Sequence, residues 1–363
     1  MPLWPKDNIN RIGEACHGGP DYAEMERLGI VPEGIIDFSS NLNPYFSPLA
    51  IREVLEWVDI NCYPDTESIA LRRAIAGKTG LSVDNIIAGN GSTELIRLAA
   101  TAYLEAGDKA FIMEPTYGEY RTACQIAGAE IIVQRLSESN RFAADIDATV
   151  RLIKDNHPRA IFLCNPNNPT GYYLSREEFG QILEAAPDSL IILDEAYISF
   201  TERAWSSFEF IDKGNLLVVR SMTKDCSLAG LRLGYAVANR EINRAMNRIR
   251  PPWNVNAVAQ SAGIMALQET EVMQCSLEKI QAGKRYLIEE IKKLRFPCLP
   301  SAANFFLVRV GNAAEYREKL LKKSILVRDC ASFGLPEYIR IAVNTMENNQ
   351  KLVSSMQEIA RGV

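Results

Sequence analysis

The residues best placed to do chemistry lie between Ser221 and Tyr235, in the run S-M-T-K-D-C-S-L-A-G-L-R-L-G-Y. Most lysines are solvated surface charges, and Lys224 alone would read that way. Here it stands between Ser221, a hydroxyl donor, and Arg232, a guanidinium fork, and both are good phosphate ligands. An amine beside an anion site suits a phosphorylated aldehyde held as a Schiff base, a description that pyridoxal phosphate (PLP) fits. Asp194 closes the apolar run Leu190–Leu193. A carboxylate there needs a partner: it caps a helix, pairs with an arginine, or bonds the protonated ring nitrogen of such a cofactor. Tyr197 could then donate to the cofactor's phenolic oxygen, Asn165 could bond the same oxygen, and Tyr117 could stack on the ring face or serve as rim packing.

The elements that must position these residues alternate in character. Continuously apolar runs at 86–88, 110–113, 131–133, 160–164, 190–193, 216–219 and 235–238 read as strands, with helical patterns among them at 48–58, 68–78, 95–103 and 120–127. Such strands imply an α/β fold with a mostly parallel sheet covered on both faces. Asn165, Asp194 and Lys224 all fall at or just beyond strand C-termini, where ligands of open α/β sheets bind. The junction Gly89-Asn90-Gly91-Ser92-Thr93-Glu94 joins a strand to a helix and supplies a second anion site, with Ser92 and Thr93 as expected caps. It is not the G-x-G-x-x-G fingerprint of a dinucleotide fold, which disfavours a nicotinamide dehydrogenase. Beyond Arg250-Pro251-Pro252-Trp253, long helical patterns at 257–267 and 272–294 precede strands near 304–310, 325–327 and 338–343 and a helix from Glu347. This predicts three parts: an N-terminal segment at 1–44, a large domain at 45–256, and a small α+β domain at 257–363.

Over 363 residues the net charge is −5 and no basic tract stands out, so nucleic acid is not a favoured partner. No run has membrane-span length and no signal-peptide pattern opens the chain. The eight cysteines lack metal spacing and read as reduced thiols, so a cytoplasmic protein without a metal is expected. With only two histidines, His17 and His157, lysine is the best candidate proton shuttle.

N-P-x-N-P-T-G at 165–171, D-E-x-Y at 194–197 and S-x-T-K at 221–224 follow one another at intervals of about thirty residues. In this order they resemble the signature of the class I/II aminotransferases, PLP enzymes of fold type I, and the likeness covers essentially the whole chain. The resemblance implies a seven-stranded sheet in the large domain and Lys224 as the Schiff-base residue. It also implies a phosphate held by Ser221, Arg232 and the Gly91-Ser92-Thr93 turn. Tyr63 matches a family tyrosine that reaches the cofactor of the neighbouring subunit, which implies a homodimer with shared sites. Arg340 matches the family arginine that holds the substrate carboxylate, helped by Arg328.

Within the family, H-G-G at 17–19, D-F-S-S-N-L-N-P at 37–44, P-W-N-V-N-A at 252–257 and the stretch from Ile325 to Val343 resemble the L-threonine O-3-phosphate decarboxylases of cobalamin synthesis. The resemblance implies decarboxylation to (R)-1-amino-2-propanol O-2-phosphate, with His17, Gly18, Gly19 and Asn43 engaging the substrate phosphate and Asn165 also near the substrate. Histidinol-phosphate aminotransferases are the nearest relatives of that group, and amino transfer between glutamate and imidazole-acetol phosphate is the alternative. After Pro44 the chain carries Tyr45-Phe46 where both groups usually have Leu-Gly, so an altered substrate loop and a substrate such as phosphoserine are also open.

Overall fold

The structure is a computed structural model that describes residues 4–10, 12–13, 18–46, 53–54, 56 and 57–362. Its centre is a sheet of seven strands, numbered here with the rest in chain order: β2 (Ile86–Asn90), β3 (Lys109–Glu114), β4 (Glu130–Arg135), β5 (Ala160–Cys164), β6 (Leu190–Asp194), β7 (Leu216–Ser221) and β8 (Leu233–Ala238). Their order is β2-β8-β7-β6-β5-β3-β4. Only β8 runs antiparallel to its neighbours β2 and β7. Every residue of β6 is buried, and so are most residues of β2, β3, β5 and β7. Side chains alternate between the two faces of a sheet, so an all-apolar strand must be covered on both. Accordingly Ile191, Leu193 and Val218 join one core, and Leu190, Ile192 and Val219 another. Each fully buried aliphatic side chain contributes roughly 1.5–3 kcal/mol.

Helices cover both faces. Ile69–Thr79 and Arg176–Ala185 lie over the first core, Gly91–Tyr103 and Glu119–Ala127 over the second. The start of Arg176–Ala185 shows how sequence sets an end. Ser175 accepts from the Glu178 N–H, and the Glu178 carboxylate accepts from the Ser175 N–H, a reciprocal box that satisfies two otherwise orphaned donors.

The C-terminal part builds a three-stranded antiparallel sheet, β11 (Arg328–Asp329), β12 (Tyr338–Ala342) and β9 (Phe305–Arg309), against the helices Thr270–Lys293 and Met346–Arg361. The N-terminal segment completes it: β1 (Ile36–Asp37) pairs in parallel with β10 (Ile325–Leu326). The helix Ala257–Gln268 belongs elsewhere. Its Ala259, Ala262 and Ala266 lie in the core of the large sheet, and a Cβ on Gly263 would come 2.5 Å from Leu233. The boundary expected before residue 257 is therefore better placed after Gln268, a division we propose on this packing. The helix expected over 48–58 lies largely outside the described residues, as does His17. Among the described residues no helix is long and apolar enough to cross a membrane, and no cluster of candidate metal ligands is present.

Candidate active site

The parallel register carries the chemistry to one edge. Cys164 at the end of β5 pairs with Asp194 at the end of β6, which pairs with Val219 of β7, five residues before Lys224. Asp194 and Lys224 line one cavity, together with Ser92, Thr93, Tyr117, Tyr197 and Arg232. It opens into a cleft of about 1120 Å³ that also reaches Gly18, Asn41, Arg328 and Arg340.

Asp194 is 3% exposed. Burial raises its pKa, opposed by the Tyr120 hydroxyl, which donates to Oδ2 at 2.7 Å, by the Ala196 N–H, which donates to Oδ1 at 3.0 Å, and by the charge of Lys224. Tyr120 was not singled out by the sequence. Its signal is weak, since an aromatic at helical spacing usually means core. Lys224 is pushed down to about 8, first by burial and then by the charges of Arg340 and Arg232, against the pull of Asp194. Its amine is thus far easier to deprotonate than that of a surface lysine.

The end of the cavity beside Arg232 is built from backbone shape. Gly91 takes φ +75°, and a Cβ there would come 2.9 Å from the Arg232 guanidinium; a Cβ on Gly234 would come 2.7 Å from the Ser92 nitrogen. Gly91 has the positive φ that glycine adopts freely, and at Gly234 surrounding backbone leaves no room for a side chain. The cap of the following helix is Asn90, and Glu94 accepts from the Asn90 N–H at 2.6 Å. Ser92 and Thr93 are therefore not caps, as the sequence suggested: they lie inside the first turn and line the cavity. Thr93 shares a hydrogen bond of 3.1 Å with the Tyr117 hydroxyl. The Ser221 hydroxyl meets that of Thr223 at 2.7 Å, and Thr223 is the one of the two that lines the cavity.

Two expected site residues are corrected. Asn165 is fully buried, with its side chain spent on the loop: Oδ1 accepts from the Leu174 N–H at 2.8 Å and Nδ2 donates to the Leu174 carbonyl at 3.5 Å. Asn168, three residues on, lines the cavity instead and bonds the Arg340 guanidinium. Asn43 is likewise absorbed by protein partners, and Asn41 faces the cleft in its place. Asn41 donates to the Tyr197 hydroxyl at 3.1 Å, while its own Oδ1 is buried without a partner.

Arg340 is 4% exposed. It donates to the Ser39 carbonyl at 2.8 Å and lies 5.1 Å from the centre of the Phe305 ring; its Nε has no partner among the described residues. Arg328 donates to the Ser332 hydroxyl at 2.7 Å and lines the same cleft. Gly18 is held close: a Cβ there would come 2.7 Å from the Ser39 carbonyl, and the Gly19 N–H donates to the Ser39 hydroxyl at 2.9 Å. Tyr45 and Phe46 turn away. The Tyr45 hydroxyl accepts from the Met346 N–H at 3.0 Å, and Phe46 is buried in the core, so neither lines the cleft. Tyr63 is 79% exposed and stacks on Trp253 at 4.3 Å.

These residues fit PLP. A buried carboxylate with room beside it suits a ring N–H⁺, glycine-shaped backbone at a helix N-terminus with Arg232 suits a phosphate, and a lysine of lowered pKa suits the aldehyde.

A sequence profile of aminotransferase class I and II matches residues 33–356. The histidinol-phosphate aminotransferase of Methylobacillus flagellatus is 34% identical over 362 residues, 98% of this chain and 96% of that protein. Among solved structures, the histidinol-phosphate aminotransferase from Clostridium acetobutylicum superposes with a TM-score of 0.83 at 29% identity, covering 91% of this chain and all (100%) of that one. The L-threonine-O-3-phosphate decarboxylase from Porphyromonas gingivalis does so with a TM-score of 0.80 at 28% identity, over 90% and 100%. Sheet order, strand-end chemistry and profile agree, and this chain belongs to the class I and II aminotransferase family of PLP-dependent enzymes.

Proposed function

We propose that the chain decarboxylates L-threonine O-3-phosphate to (R)-1-amino-2-propanol O-2-phosphate. The observation that carries this reading is the pairing of two guanidiniums, Arg328 and Arg340, in the cleft that holds Lys224. Arg232 already serves the cofactor phosphate in this reading. The other two then suit a substrate with two anionic groups, an α-carboxylate and a phosphate. Docking of the Gly18-Gly19 segment on Ser39, through the Gly19 N–H, brings Gly18 into the cleft at the same end, beside Arg340.

When bound, PLP supplies an electron sink for the bond at Cα that stands perpendicular to its ring. The protein's part is to choose that bond. Arg340, oriented by Asn168 and the Ser39 carbonyl, holds the carboxylate. Asp194, which lines the cavity, would pair with the ring nitrogen and keep it protonated. Tyr197, whose hydroxyl oxygen accepts from Asn41, keeps its own proton to donate to the ring oxygen. Lys224 Nζ, with a pKa of about 8, is protonated at neutral pH yet acidic enough to return that proton to Cα.

A second reading is amino transfer of the histidinol-phosphate type, which the names of the M. flagellatus and C. acetobutylicum relatives favour more directly than decarboxylation. It uses the same residues with the Cα–H bond perpendicular instead. Incubation with L-threonine O-3-phosphate and no keto acid separates the two. Catalytic CO2 release supports the first. No CO2, with glutamate formed from histidinol phosphate and 2-oxoglutarate, overturns it for the second. Phosphoserine as a parallel substrate reads the tolerance of the pocket. We further propose a homodimer in which Tyr63 completes the neighbour's site, consistent with its exposure.

A further inference from the structure

Asn43 makes an unusual number of bonds for one residue. Its N–H donates to the Lys224 carbonyl at 2.9 Å, and its carbonyl accepts from the Ser227 hydroxyl at 2.5 Å. Its side-chain Nδ2 donates to the Asp225 carbonyl at 3.0 Å and to the Ser276 hydroxyl at 2.8 Å. Its Oδ1 accepts from the N–H groups of Tyr45 and Phe46 at 3.1 and 3.2 Å. One 2%-exposed residue thus ties the N-terminal segment both to the lysine loop and to the helix Thr270–Lys293 of the smaller body.

The lysine loop is shaped to receive this tie. Ser227 takes φ +51°, a conformation that L-residues other than glycine, asparagine and aspartate seldom adopt, and that turn carries its hydroxyl to the Asn43 carbonyl. On the other side Asp225 accepts from the Ser199 hydroxyl at 2.6 Å and from the Cys226 N–H at 2.9 Å, which anchors the loop to the turn after Tyr197. Immediately upstream of Asn43, residues 39–42 line the cleft, and the Ser39 carbonyl receives Arg340. The segment that lines the cleft and the loop that carries the amine are therefore joined at one residue, through its N–H, its carbonyl and its side-chain amide.

We infer that Asn43 is a positioning residue, the joint through which the N-terminal substrate segment fixes the Lys224 loop. This rests on Lys224 being the reactive amine. A substituent at Cα that seats residues 39–42 against Arg340 thereby also seats the amine. The joint acts on placement, so its loss should lower kcat more than it raises KM, because the substrate contacts themselves remain.

The test compares wild type with Asn43→Ala and, because that change removes every side-chain bond of Asn43 and risks the fold, with Ser227→Ala, which removes one. Three readings are taken: the kcat and KM split, the amount of PLP retained, and the rate at which Lys224 is acylated by acetic anhydride in cofactor-free protein, followed by peptide mass. The last does not depend on turnover. The expected result is about a tenfold or greater fall in kcat for Asn43→Ala with KM changed less, PLP still bound, and Lys224 acylated several-fold faster. Ser227→Ala should shift both readings in the same direction by less. Wild-type kcat and acylation rate in either folded variant would overturn the inference, as would a rise in KM alone, which would return Asn43 to substrate binding. If borohydride fixes PLP in wild type on a lysine other than Lys224, the underlying site reading fails instead, and the two failures are distinct.

Discussion

In the proposed site Lys224 reacts as an amine near neutral pH, and its surroundings lower its pKa to about 8 by taking it out of water among two arginines. That arrangement has a stability consequence in the cofactor-free protein. A folded-state pKa below the unfolded value of 10.5 means that the unfolded chain binds more protons between the two values, so stability rises with pH across that window. Below pH 8 the fold bears the full cost of holding the ammonium, on the order of 3 kcal/mol. Cofactor-free Lys224→Met should therefore melt above wild type at pH 7, with the gap closing as pH rises toward 10.5; a gap that widens would contradict this. Tyr120 works on the other group. Tyr120→Phe removes the hydroxyl from Asp194 Oδ2 and leaves a buried acceptor short of a donor, a loss of about 1–3 kcal/mol. It should appear as weaker PLP binding in a titration by absorbance, and unchanged affinity would mean that the bond serves packing alone. At this scale the sequence was only partly legible. The expectation named Asn165 and Asn43, where Asn168 and Asn41 line the cleft. Each pair lies in a loop crowded with asparagine and proline, where no period tells which side chain turns to the cavity.

The elements were easier to read, because strands buried on both faces need unbroken apolar runs, and such runs have few other uses. The runs at 160–164 and 190–193 reappear as β5 and β6 almost to the residue. Less legible was the junction after β2. A serine and threonine beside a helix start look like caps, yet the helix begins earlier, at Gly91, a position close against the Arg232 guanidinium. Gly91→Ala should displace the Arg232 guanidinium and lower PLP affinity by about tenfold or more, an effect beyond the roughly 1 kcal/mol of backbone strain. Gly107→Ala is the control: φ is +95° with nothing within 4 Å, so it should lower Tm and leave PLP affinity alone. Equal effects of the two changes on affinity would remove the special role of Gly91.

In the whole molecule, the cleft lies where the large sheet, the smaller sheet and the N-terminal segment meet, so its lining comes from all three. Tyr63 points outward from this arrangement, and we have proposed that it serves a partner's site. Mixed dimers test that directly. A Lys224→Ala chain keeps Tyr63, and a Tyr63→Ala chain keeps Lys224, so each mixed dimer contains one complete site. Co-refolding equal amounts should restore about a quarter of wild-type activity from two nearly inactive parents. No recovery, with dimers confirmed by sedimentation, would place Tyr63 in its own chain's structure. The later body boundary we propose was not legible in the sequence, since the apolar face of Ala257–Gln268 tells that a helix is buried but not against which core.

The most direct measurement is borohydride reduction of the PLP-loaded protein followed by peptide mass spectrometry, run alongside Asp194→Ala and Lys224→Ala. The account predicts one pyridoxyl group per chain, on Lys224, much reduced in occupancy when Asp194 is removed and absent when Lys224 is. A pyridoxyl group on another lysine, or full labelling at Lys224 and unchanged affinity without Asp194, would contradict it.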